Sequence, residues 1–408
     1  MVRTEATRAV RLTAYTIVIV TVYGMLCVGD YALKKNEERW LRKLMSEPAS
    51  IEKRRVQEQD KAMIADAKAH GYKSILYPGY FDSGIFRDTA EQAGIAPLAP
   101  QPDMSLYLCN EGYGLVRYRS DRFGFRNDDR VWDAQQIDIV LIGDSFAHGV
   151  CVDEAGSIAG FLSRTFGTVV NLASSDNGPV NYAALAKTFL PVLPATYAIV
   201  VFYSNDNQDE ETSIFRKYFI DGQVDYFARG TDGRPVKHPS QKLKEFYSAA
   251  QALVDRGPDP DEDFEAWAER MMSQVGEPDS IFIRASRYLK LPNIRRVIGT
   301  ALSIKVRRLP WSSRLAIDIV SEECRRLGCS PVFVYIPNSE FWSPDAYARE
   351  YCAALGEYVN NGGGRGQFID TSDEIAKYGR AAYAPAGIHL SPLGYRLVVE
   401  KILHRLST

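Results

Sequence analysis

The sequence predicts an α/β protein built on a doubly wound parallel sheet, with an N-terminal transmembrane helix and a mainly helical insertion. Three observations predict this class: an uncharged apolar segment near the N-terminus, short apolar runs that alternate with helix-length segments after residue 136, and a long stretch that separates two of those runs. Strands buried on both faces appear as continuous apolar runs, and parallel strands need crossover connections that are usually helical.

The N-terminal segment at 12–29, LTAYTIVIVTVYGMLCVG, carries no charge. A helix of that length can cross a bilayer, and the preceding Arg3, Arg8 and Arg11 predict a cytoplasmic N-terminus. We expect a single-pass anchor in a bacterial inner membrane, with the bulk of the chain periplasmic. A cleaved signal peptide and a buried helix are the alternatives, although MLCVGDYA makes a poor cleavage site.

The composition excludes some classes of partner and cofactor. Apolar residues make up 46% and charged residues 25% of the chain, as in ordinary globular proteins. The formal net charge is −2 and no basic run is interleaved with aromatic residues, so we expect no nucleic-acid partner. No cysteine and histidine spacing resembles a zinc site, and the sequence implies no metal and no cofactor.

The pattern along the chain predicts five parts. They are a cytoplasmic tail with the anchor (1–33), a juxtamembrane helical segment (34–70), an irregular lead-in with short strands (71–130), an α/β core (131–211 and 311–406) and a helical insertion or cap (212–310). The strands of the core are predicted at 137–143, 167–173, 197–204, 330–337 and 366–370. The insertion is either a lid over a site or a structural decoration.

The first predicted strand ends in Gly143-Asp144-Ser145. Ligands of open parallel sheets bind at the carboxyl ends of the strands, so Ser145 is a candidate nucleophile. The structural alternative is that Asp144 or Ser145 caps the following helix. The surrounding residues do not form a G-x-S-x-G elbow, which disfavours a standard α/β-hydrolase.

Three further residues are candidates for the same site. Asn205 follows the third strand and could donate its amide to an oxyanion, although asparagine is also common in turns. Gly178 follows the second strand and could bring a backbone N–H close to a ligand. His389, in the loop AGIHLSPLGY, could act as the general base or be merely structural.

Two of the six cysteines, Cys109 and Cys151, flank the region that delivers Ser145. In an oxidising compartment they could form a disulfide that stabilises the fold by about 3–4 kcal/mol in the chain-entropy model. Two buried free thiols are the alternative.

The order of these residues resembles the SGNH, or GDSL-like, hydrolase superfamily. The resemblance covers roughly 135–211 and 311–406 and depends on GDS, SND and GIHLSPLGY. The lead-in CNEGYGLVRYRSDRFGFRND is also similar to segments before the serine strand in membrane-anchored bacterial members. The resemblance implies that Ser145 is the nucleophile, His389 the base, and Asn205 and the Gly178 region donors to the oxyanion.

Two positions depart from the family pattern. Ala386 stands where members usually carry the aspartate that orients the histidine, and Asp176 aligns near the glycine of the second block. Asp370 and Asp373, which follow the fifth predicted strand, are candidates for a substitute acid. A Ser–His dyad and a degraded site are the alternatives.

The resemblance implies a serine esterase that acts through an acyl-enzyme on O-acyl or O-acetyl groups of envelope glycans or lipids. An O-acyltransferase with the same site is a second possibility, because only the acceptor differs. A non-catalytic envelope protein that retains the fold is a third, supported by Ala386 and Asp176. The sequence does not identify a protein partner.

Overall fold

The computed structural model describes residues 15–16, 18, 21–33, 35, 48–206, 213–222, 224–255, 267–268, 309–338, 346–362 and 365–407. The chain divides into two compact units, one of Met1–Ile51 with Gly276–Arg307 and one of Glu52–Val275 with Arg308–Thr408. The described part of the first unit is helical at 21–33. The described strands and the candidate site residues all belong to the second unit.

The regular elements are numbered here along the chain. The strands are β1 (Lys73–Ser74), β2 (Ser105–Tyr107), β3 (Arg117–Arg119), β4 (Ile137–Gly143), β5 (Val169–Asn171), β6 (Ala195–Tyr203), β7 (Phe227–Arg229), β8 (Pro235–Pro239), β9 (Ser330–Ile336) and β10 (Gln367–Asp370). The α-helices are α1 (Pro48–Ala69), α2 (Gly84–Ala93), α3 (Ser145–His148), α4 (Ile158–Leu162), α5 (Pro179–Phe189), α6 (Gln241–Asp255), α7 (Trp311–Leu327), α8 (Ala346–Asn360), α9 (Ser372–Ala376) and α10 (Pro392–Leu406).

The central sheet contains five strands in the order β10-β9-β6-β4-β5, and all four pairings are parallel. All five apolar runs that predicted strands lie in this sheet, which confirms the parallel α/β core. Numbered within the sheet, the order is 2-1-3-4-5, as in doubly wound folds. The direction of winding therefore reverses between β4 and β6.

The two faces of the sheet are covered by different helices. On one face, Val140 and Ile142 of β4 belong to a core cluster with residues of α5, α7 and α8. On the other face, Ile139 and Leu141 belong to a cluster with residues of α4, α9 and α10. Because neighbouring residues of a strand point to opposite faces, continuous apolar runs are what a three-layer arrangement requires.

Local signals explain where the covering helices begin and end. The Ser391 hydroxyl accepts a hydrogen bond from the Gly394 N–H and caps α10, which continues with Pro392 in its first turn. Helix α7 ends at Gly328, which has φ 83°, a left-handed conformation that favours glycine.

The lead-in packs into the same unit as the sheet. Strands β1, β2 and β3 form a small sheet of their own, in which β2 and β3 are antiparallel. The buried Asp121 carboxylate then accepts hydrogen bonds from the N–H groups of Phe123 and Phe125 and from the side chains of Asn127 and Trp132. These bonds fix the aromatic rings that join the lead-in to the main core.

The described part of the insertion contains a pair of strands beside the predicted helices. It contains helix α6, but the antiparallel strands β7 and β8 precede that helix. The turn between them closes through hydrogen bonds from Gly230 N–H to Arg234 O at 2.8 Å and from Gly233 N–H to Gly230 O at 2.9 Å. The remainder of the predicted cap (212, 223, 256–266 and 269–308) lies outside the described residues.

The predicted transmembrane segment, 12–29, is only partly described. Within the ranges given above, no helix is both long enough and apolar enough to cross a membrane. Several apolar side chains of this segment are exposed, among them Met25 at 68% and Val28 at 69% of their maximal accessible area.

Candidate functional site

The strand order places two of the predicted site segments side by side. Strands β4 and β6 are neighbours, and the winding of the sheet reverses between them. Ser145 lies two residues after β4, and Asn205 lies two residues after β6. Both therefore lie at the carboxyl edge of the sheet at its switch point, where ligands of such sheets bind.

The turn after β4 holds Ser145 without using its hydroxyl as a cap. The Asp144 carboxylate is the cap of α3, because it accepts the Phe146 N–H at 2.9 Å. A side chain at Gly143 would meet Ala147 Cβ at 2.6 Å, so the close turn requires glycine there. The structural alternative that Asp144 or Ser145 caps the helix therefore holds for Asp144 and not for Ser145, whose half-buried hydroxyl is left for another role.

His389 is held by a carboxylate that the sequence did not single out. The Nδ1 atom of His389 lies 2.8 Å from Oε1 of Glu111, and both side chains are nearly buried. The same carboxylate accepts the backbone N–H of Ile388 at 3.2 Å and of His389 at 3.1 Å. With Nδ1–H donating to Glu111, the Nε2 atom is the acceptor, which is the tautomer a general base needs.

Asp370 and Asp373, the predicted substitute acids, do not make this contact. Asp370 ends β10, which is the outermost strand and is separated from β4 by β9 and β6. Its exposed carboxylate accepts the Ser372 N–H at 2.9 Å, and Asp373 is also exposed. The order of the strands therefore puts both carboxylates too far along the sheet to orient His389.

Glu111 reaches His389 because the lead-in folds back over the sheet edge. It lies in the loop between β2 and β3, where the Asn110 side-chain oxygen accepts the N–H groups of Gly112 and Gly114, each at 2.9 Å. The Ala386 N–H donates to the Glu111 backbone oxygen at 3.0 Å. The position that lacks the family aspartate thus contacts the residue that supplies the carboxylate.

The close approach of Glu111 to the histidine loop requires the glycine at Gly387. A Cβ atom at this position would lie 1.6 Å from Cδ of Glu111, far inside van der Waals contact. The absence of a side chain lets the carboxylate reach the backbone N–H groups of the next two residues. The glycine of the GIH motif therefore admits Glu111 to the histidine loop.

A disulfide joins Cys109 to Cys151, with the Cα atoms 5.0 Å apart. Of the two alternatives for these cysteines, the disulfide is the one present, and it links the loop of Glu111 to the loop after Ser145. A second disulfide, Cys324–Cys329, lies at the amino edge of the sheet before β9, and among the described cysteines Cys27 and Cys352 are free.

Aromatic contacts connect the histidine to both strand ends. The rings of His389 and Phe146 lie 5.0 Å apart, and the rings of Phe146 and Tyr203 stack at 3.9 Å. Phe146 directly follows Ser145, so the imidazole lies beside the serine turn. Among the described residues no direct hydrogen bond joins the Ser145 hydroxyl to the His389 ring. Catalytic hydrogen bonds are often long in ligand-free enzymes and shorten when substrate binds.

Asn205 is exposed at the tip of a tight turn after β6. Asp206 closes this turn, because its carboxylate accepts the Tyr203 N–H at 3.0 Å and its own N–H donates to the Tyr203 oxygen at 3.0 Å. The Tyr182 hydroxyl bonds the same carboxylate. These bonds fix the turn, and the exposed Asn205 side chain, which has no hydrogen bond to another described residue, can meet a ligand.

The segment after β5 gives less support to the prediction that Gly178 donates its N–H to an oxyanion. The Gly178 N–H points to Oδ1 of Asn181 at 3.4 Å, a long hydrogen bond that occupies this group. Asp176 has φ 60° and is exposed. Beside them, both polar atoms of the buried Asn177 amide lack a partner among the described residues. A polar group of a bound ligand would satisfy that amide.

Two buried ionisable groups flank Ser145. Burial raises the pKa of Asp144 to about 7, and the N–H of Phe146 partly opposes this. Burial and the nearby Arg126 guanidinium lower the pKa of His148 to about 3, so this imidazole is neutral at physiological pH. His148 contacts Ser175 at 3.4 Å and is a structural residue of the turn.

One group of residues has the donor types of a metal site. Glu111, Cys151 and His389 each place a donor atom within 4.8 Å of the others. The Cys151 sulfur is already bonded to Cys109, so the oxidised chain offers one carboxylate and one imidazole. Zinc sites use three or four protein ligands, and this pair is better suited to proton transfer.

The fold is an open parallel α/β sheet, and the candidate site at its carboxyl edge contains a serine, a histidine and a glutamate. No family model matches the chain, and no curated protein matches it. A solved structure titled "Crystal Structure of TesA" aligns with a TM-score of 0.34 at 10% sequence identity, covering 66% of this chain and 97% of that chain. A likeness this slight has no bearing on the activity of the chain.

Glu111 is the site residue that sequence reasoning missed. It lies inside the segment CNEGYGLVRYRSDRFGFRND, but no local pattern marks a glutamate in a loop as the partner of a histidine 278 residues away. The available signal was indirect: a cysteine two residues before it that could pair with Cys151, close to Ser145.

Proposed function

We propose that the chain is a serine hydrolase of ester bonds in which Ser145, His389 and Glu111 act together. The observation that carries the proposal is the 2.8 Å contact between Glu111 and Nδ1 of His389, beside the serine turn. This contact supplies the orienting acid that the sequence lacks at Ala386. The main support for a non-catalytic protein is therefore weakened.

The proposed mechanism follows from the tautomer of His389. Its Nε2 takes the proton of the Ser145 hydroxyl while Oγ attacks the ester carbonyl carbon. The Ser145 N–H and the Asn205 amide stabilise the oxyanion of the tetrahedral intermediate. The imidazolium then gives its proton to the departing alcohol, and a water molecule, activated in the same way, releases the acid from Ser145.

Glu111 acts only as a hydrogen-bond acceptor in this cycle. The carboxylate accepts hydrogen bonds from His389 Nδ1 and from two backbone N–H groups, so it faces donors only. It therefore fixes the ring orientation and stabilises the imidazolium that forms when Nε2 is protonated. No metal or cofactor has a step in this mechanism.

The substrate class of the proposal is an O-acyl or O-acetyl ester on an envelope glycan or lipid. In the same proposal, residues 12–29 anchor the chain in a bacterial inner membrane, supported by the uncharged sequence and by exposed side chains such as Met25 and Val28. Resistance to carbonate extraction that is lost on deletion of residues 1–33 would support the anchor. Extraction of the full chain by carbonate would exclude it.

The test of the activity is hydrolysis of p-nitrophenyl acetate by the full chain, compared with Ser145→Ala and His389→Ala. Removing either member of such a pair lowers kcat by about 10⁴-fold or more. We expect both variants to fold, as judged by circular dichroism, and to lose hydrolysis. Equal rates in all three proteins, with esters of several acyl lengths, would overturn the proposal.

A further inference from the structure

We propose that the Cys109–Cys151 disulfide positions Glu111 against His389, so that the competence of the site depends on this pair being oxidised. The two cysteines are thus positioning residues that act through Glu111. The kinetic part of this inference rests on the proposed esterase function. Its structural part, the state of the contact between Glu111 and His389, can be measured without catalysis.

The disulfide joins the two segments that the site must hold together. Cys109 lies two residues before Glu111, and Cys151 lies six residues after Ser145. The Cys151 sulfur, a Glu111 carboxylate oxygen and a His389 ring nitrogen all lie within 4.8 Å of one another. The covalent bond therefore lies directly against the contact between acid and base.

The remaining hydrogen bonds of the loop either fix its own shape or, as with the Ala386 N–H and the two N–H groups on the Glu111 carboxylate, hold it to the histidine loop. The hairpin ends in the hydrogen bonds from Leu108 N–H to Val116 O at 2.8 Å and from Val116 N–H to Cys109 O at 3.3 Å. Beyond that point the Asn110 side chain bonds N–H groups of the same loop. Neither set of bonds reaches the segment that carries Ser145.

The Tyr118 ring of β3 contacts the His148 ring with 6.0 Å between centroids, and a small apolar cluster also links the hairpin to the serine segment. Leu106, Leu108 and Val116 pack there with Val150 and Cys151. Apolar packing is not directional, so it holds the hairpin near the segment without setting the carboxylate to within a fraction of an ångström. The disulfide supplies that directional constraint at one end of the loop.

Reduction would release the constraint. A dithiol gives two electrons and two protons to the pair, becomes a disulfide itself, and leaves thiols on Cys109 and Cys151. Two thiols need more separation than two bonded sulfurs, so the end of the Glu111 loop must move. Misplacement of a catalytic group by about 1 Å can lower a rate about 10²-fold.

The experiment compares Cys109→Ser/Cys151→Ser with Cys324→Ser/Cys329→Ser, both in the full chain. The second pair is a matched control, because it removes the disulfide at the opposite edge of the sheet. We expect kcat for p-nitrophenyl acetate to fall about 10- to 100-fold in the first variant and less than about twofold in the control. KM should change little in either protein.

A mutant cycle with Glu111→Gln separates positioning from general weakening of the fold. If the disulfide acts through Glu111, its removal lowers kcat in the parent but has little further effect in the Glu111→Gln background. Equal losses in both backgrounds would overturn the inference and assign the disulfide a merely structural role.

A proton NMR signature gives the structural readout. A histidine Nδ1–H that donates to a buried carboxylate gives a low-field resonance, which Glu111→Gln and His389→Ala identify by removing it. We expect the resonance to disappear in Cys109→Ser/Cys151→Ser and to persist in the control pair. Persistence in both double variants, with unchanged kcat, would overturn the inference. A wild type with the resonance but without hydrolysis would overturn the proposed function, and the structural part of this inference would then be decided by the resonance alone.

Reduction of the folded protein replaces the double variant if that variant fails to fold. The Cys324→Ser/Cys329→Ser protein is treated with a water-soluble phosphine, which takes the oxygen of a water molecule while the disulfide becomes two thiols. Thiol titration confirms the reduction, and loss of the resonance with retained circular dichroism is the expected result. A retained resonance after complete reduction would overturn the inference.

Discussion

The Glu111 carboxylate lies 2.8 Å from Nδ1 of His389, although 278 residues separate the two in sequence. The contact joins the hairpin of the lead-in to the loop before the last helix, and both lie at the carboxyl edge of the sheet. It gives His389 an oriented ring with Nε2 as the acceptor, and it makes the lead-in part of the site.

Replacement of this carboxylate by an amide is the most direct test of its role. Glu111→Gln can donate where Glu111 only accepts, so it disfavours the Nδ1–H tautomer of His389. We expect kcat for p-nitrophenyl acetate to fall about 10³- to 10⁴-fold, as when the triad acid of a serine protease becomes an amide. Steady-state kinetics on the folded variant checks this.

Asp370→Asn and Asp373→Asn are the matched controls for Glu111→Gln. Each removes one negative charge near the end of the sheet but leaves the His389 ring untouched. Both should keep kcat within about twofold of the parent, since exposed charges act weakly over distance. A large loss in either control, with none in Glu111→Gln, would identify the acid differently.

Gly387→Ala should disrupt the same contact from the other side. The new methyl group would lie 1.6 Å from Cδ of Glu111, so the carboxylate must leave. We expect a loss of activity similar to that of Glu111→Ala and a decrease of about 1–3 kcal/mol in the free energy of unfolding. Urea unfolding and steady-state kinetics measure the two effects.

Gly156→Ala is the control for that substitution, because its added methyl group would meet Pro392 at an ordinary 3.5 Å. It should leave activity and stability nearly unchanged. The cost of Gly387→Ala should also shrink in a Glu111→Ala background, where the clashing atoms are gone. An undiminished cost there would show that Glu111 is not the residue displaced.

The two disulfides should contribute unequally to stability. Cys109–Cys151 closes 42 residues of chain and Cys324–Cys329 closes 5. In the chain-entropy model these loops correspond to about 4 and about 2 kcal/mol of unfolding free energy at 25 °C. Urea unfolding of the two serine double variants should give this order, and the reverse order would contradict the expectation.

Because His148 is buried, we expect the free energy of unfolding to decrease in acid. Burial lowers the pKa of His148 to about 3, whereas an unfolded histidine titrates near 6.5. The stabilisation is complete above pH 6.5 and is lost as the pH falls towards 3, because the unfolded chain binds a proton that the folded one excludes. At pH 5 the loss from this group is about 2 kcal/mol.

His148→Gln should remove that part of the pH dependence between pH 7 and pH 4, measured by urea unfolding at intervals of one pH unit. His404→Gln, at an exposed position of α10, is the control and should leave the profile of the parent unchanged. A steep acid loss that persists in His148→Gln would assign it to other groups.

Local patterns in the sequence predicted the sheet and three of the candidate site residues. The five apolar runs became five parallel strands because continuous apolar character is required wherever both faces are covered. Ser145 and Asn205 were predicted at strand ends, and neighbouring strands β4 and β6 bring those ends together. His389 was marked by its loop before an amphipathic helix.

The tertiary structure decided which carboxylate meets His389. Asp370 and Asp373 were reasonable candidates by order along the chain, but the position of β10 at the sheet edge removes them from the site. Glu111 follows no strand of the main sheet and has no periodic pattern. Glu111 reaches His389 because the hairpin between β2 and β3 folds back over the sheet edge and is joined to the serine segment by a disulfide. Gly387, which has no side chain, leaves room for the Glu111 carboxylate. Strand patterns can be predicted because they depend on neighbouring residues, whereas the orienting acid was decided by distances between segments far apart in the chain.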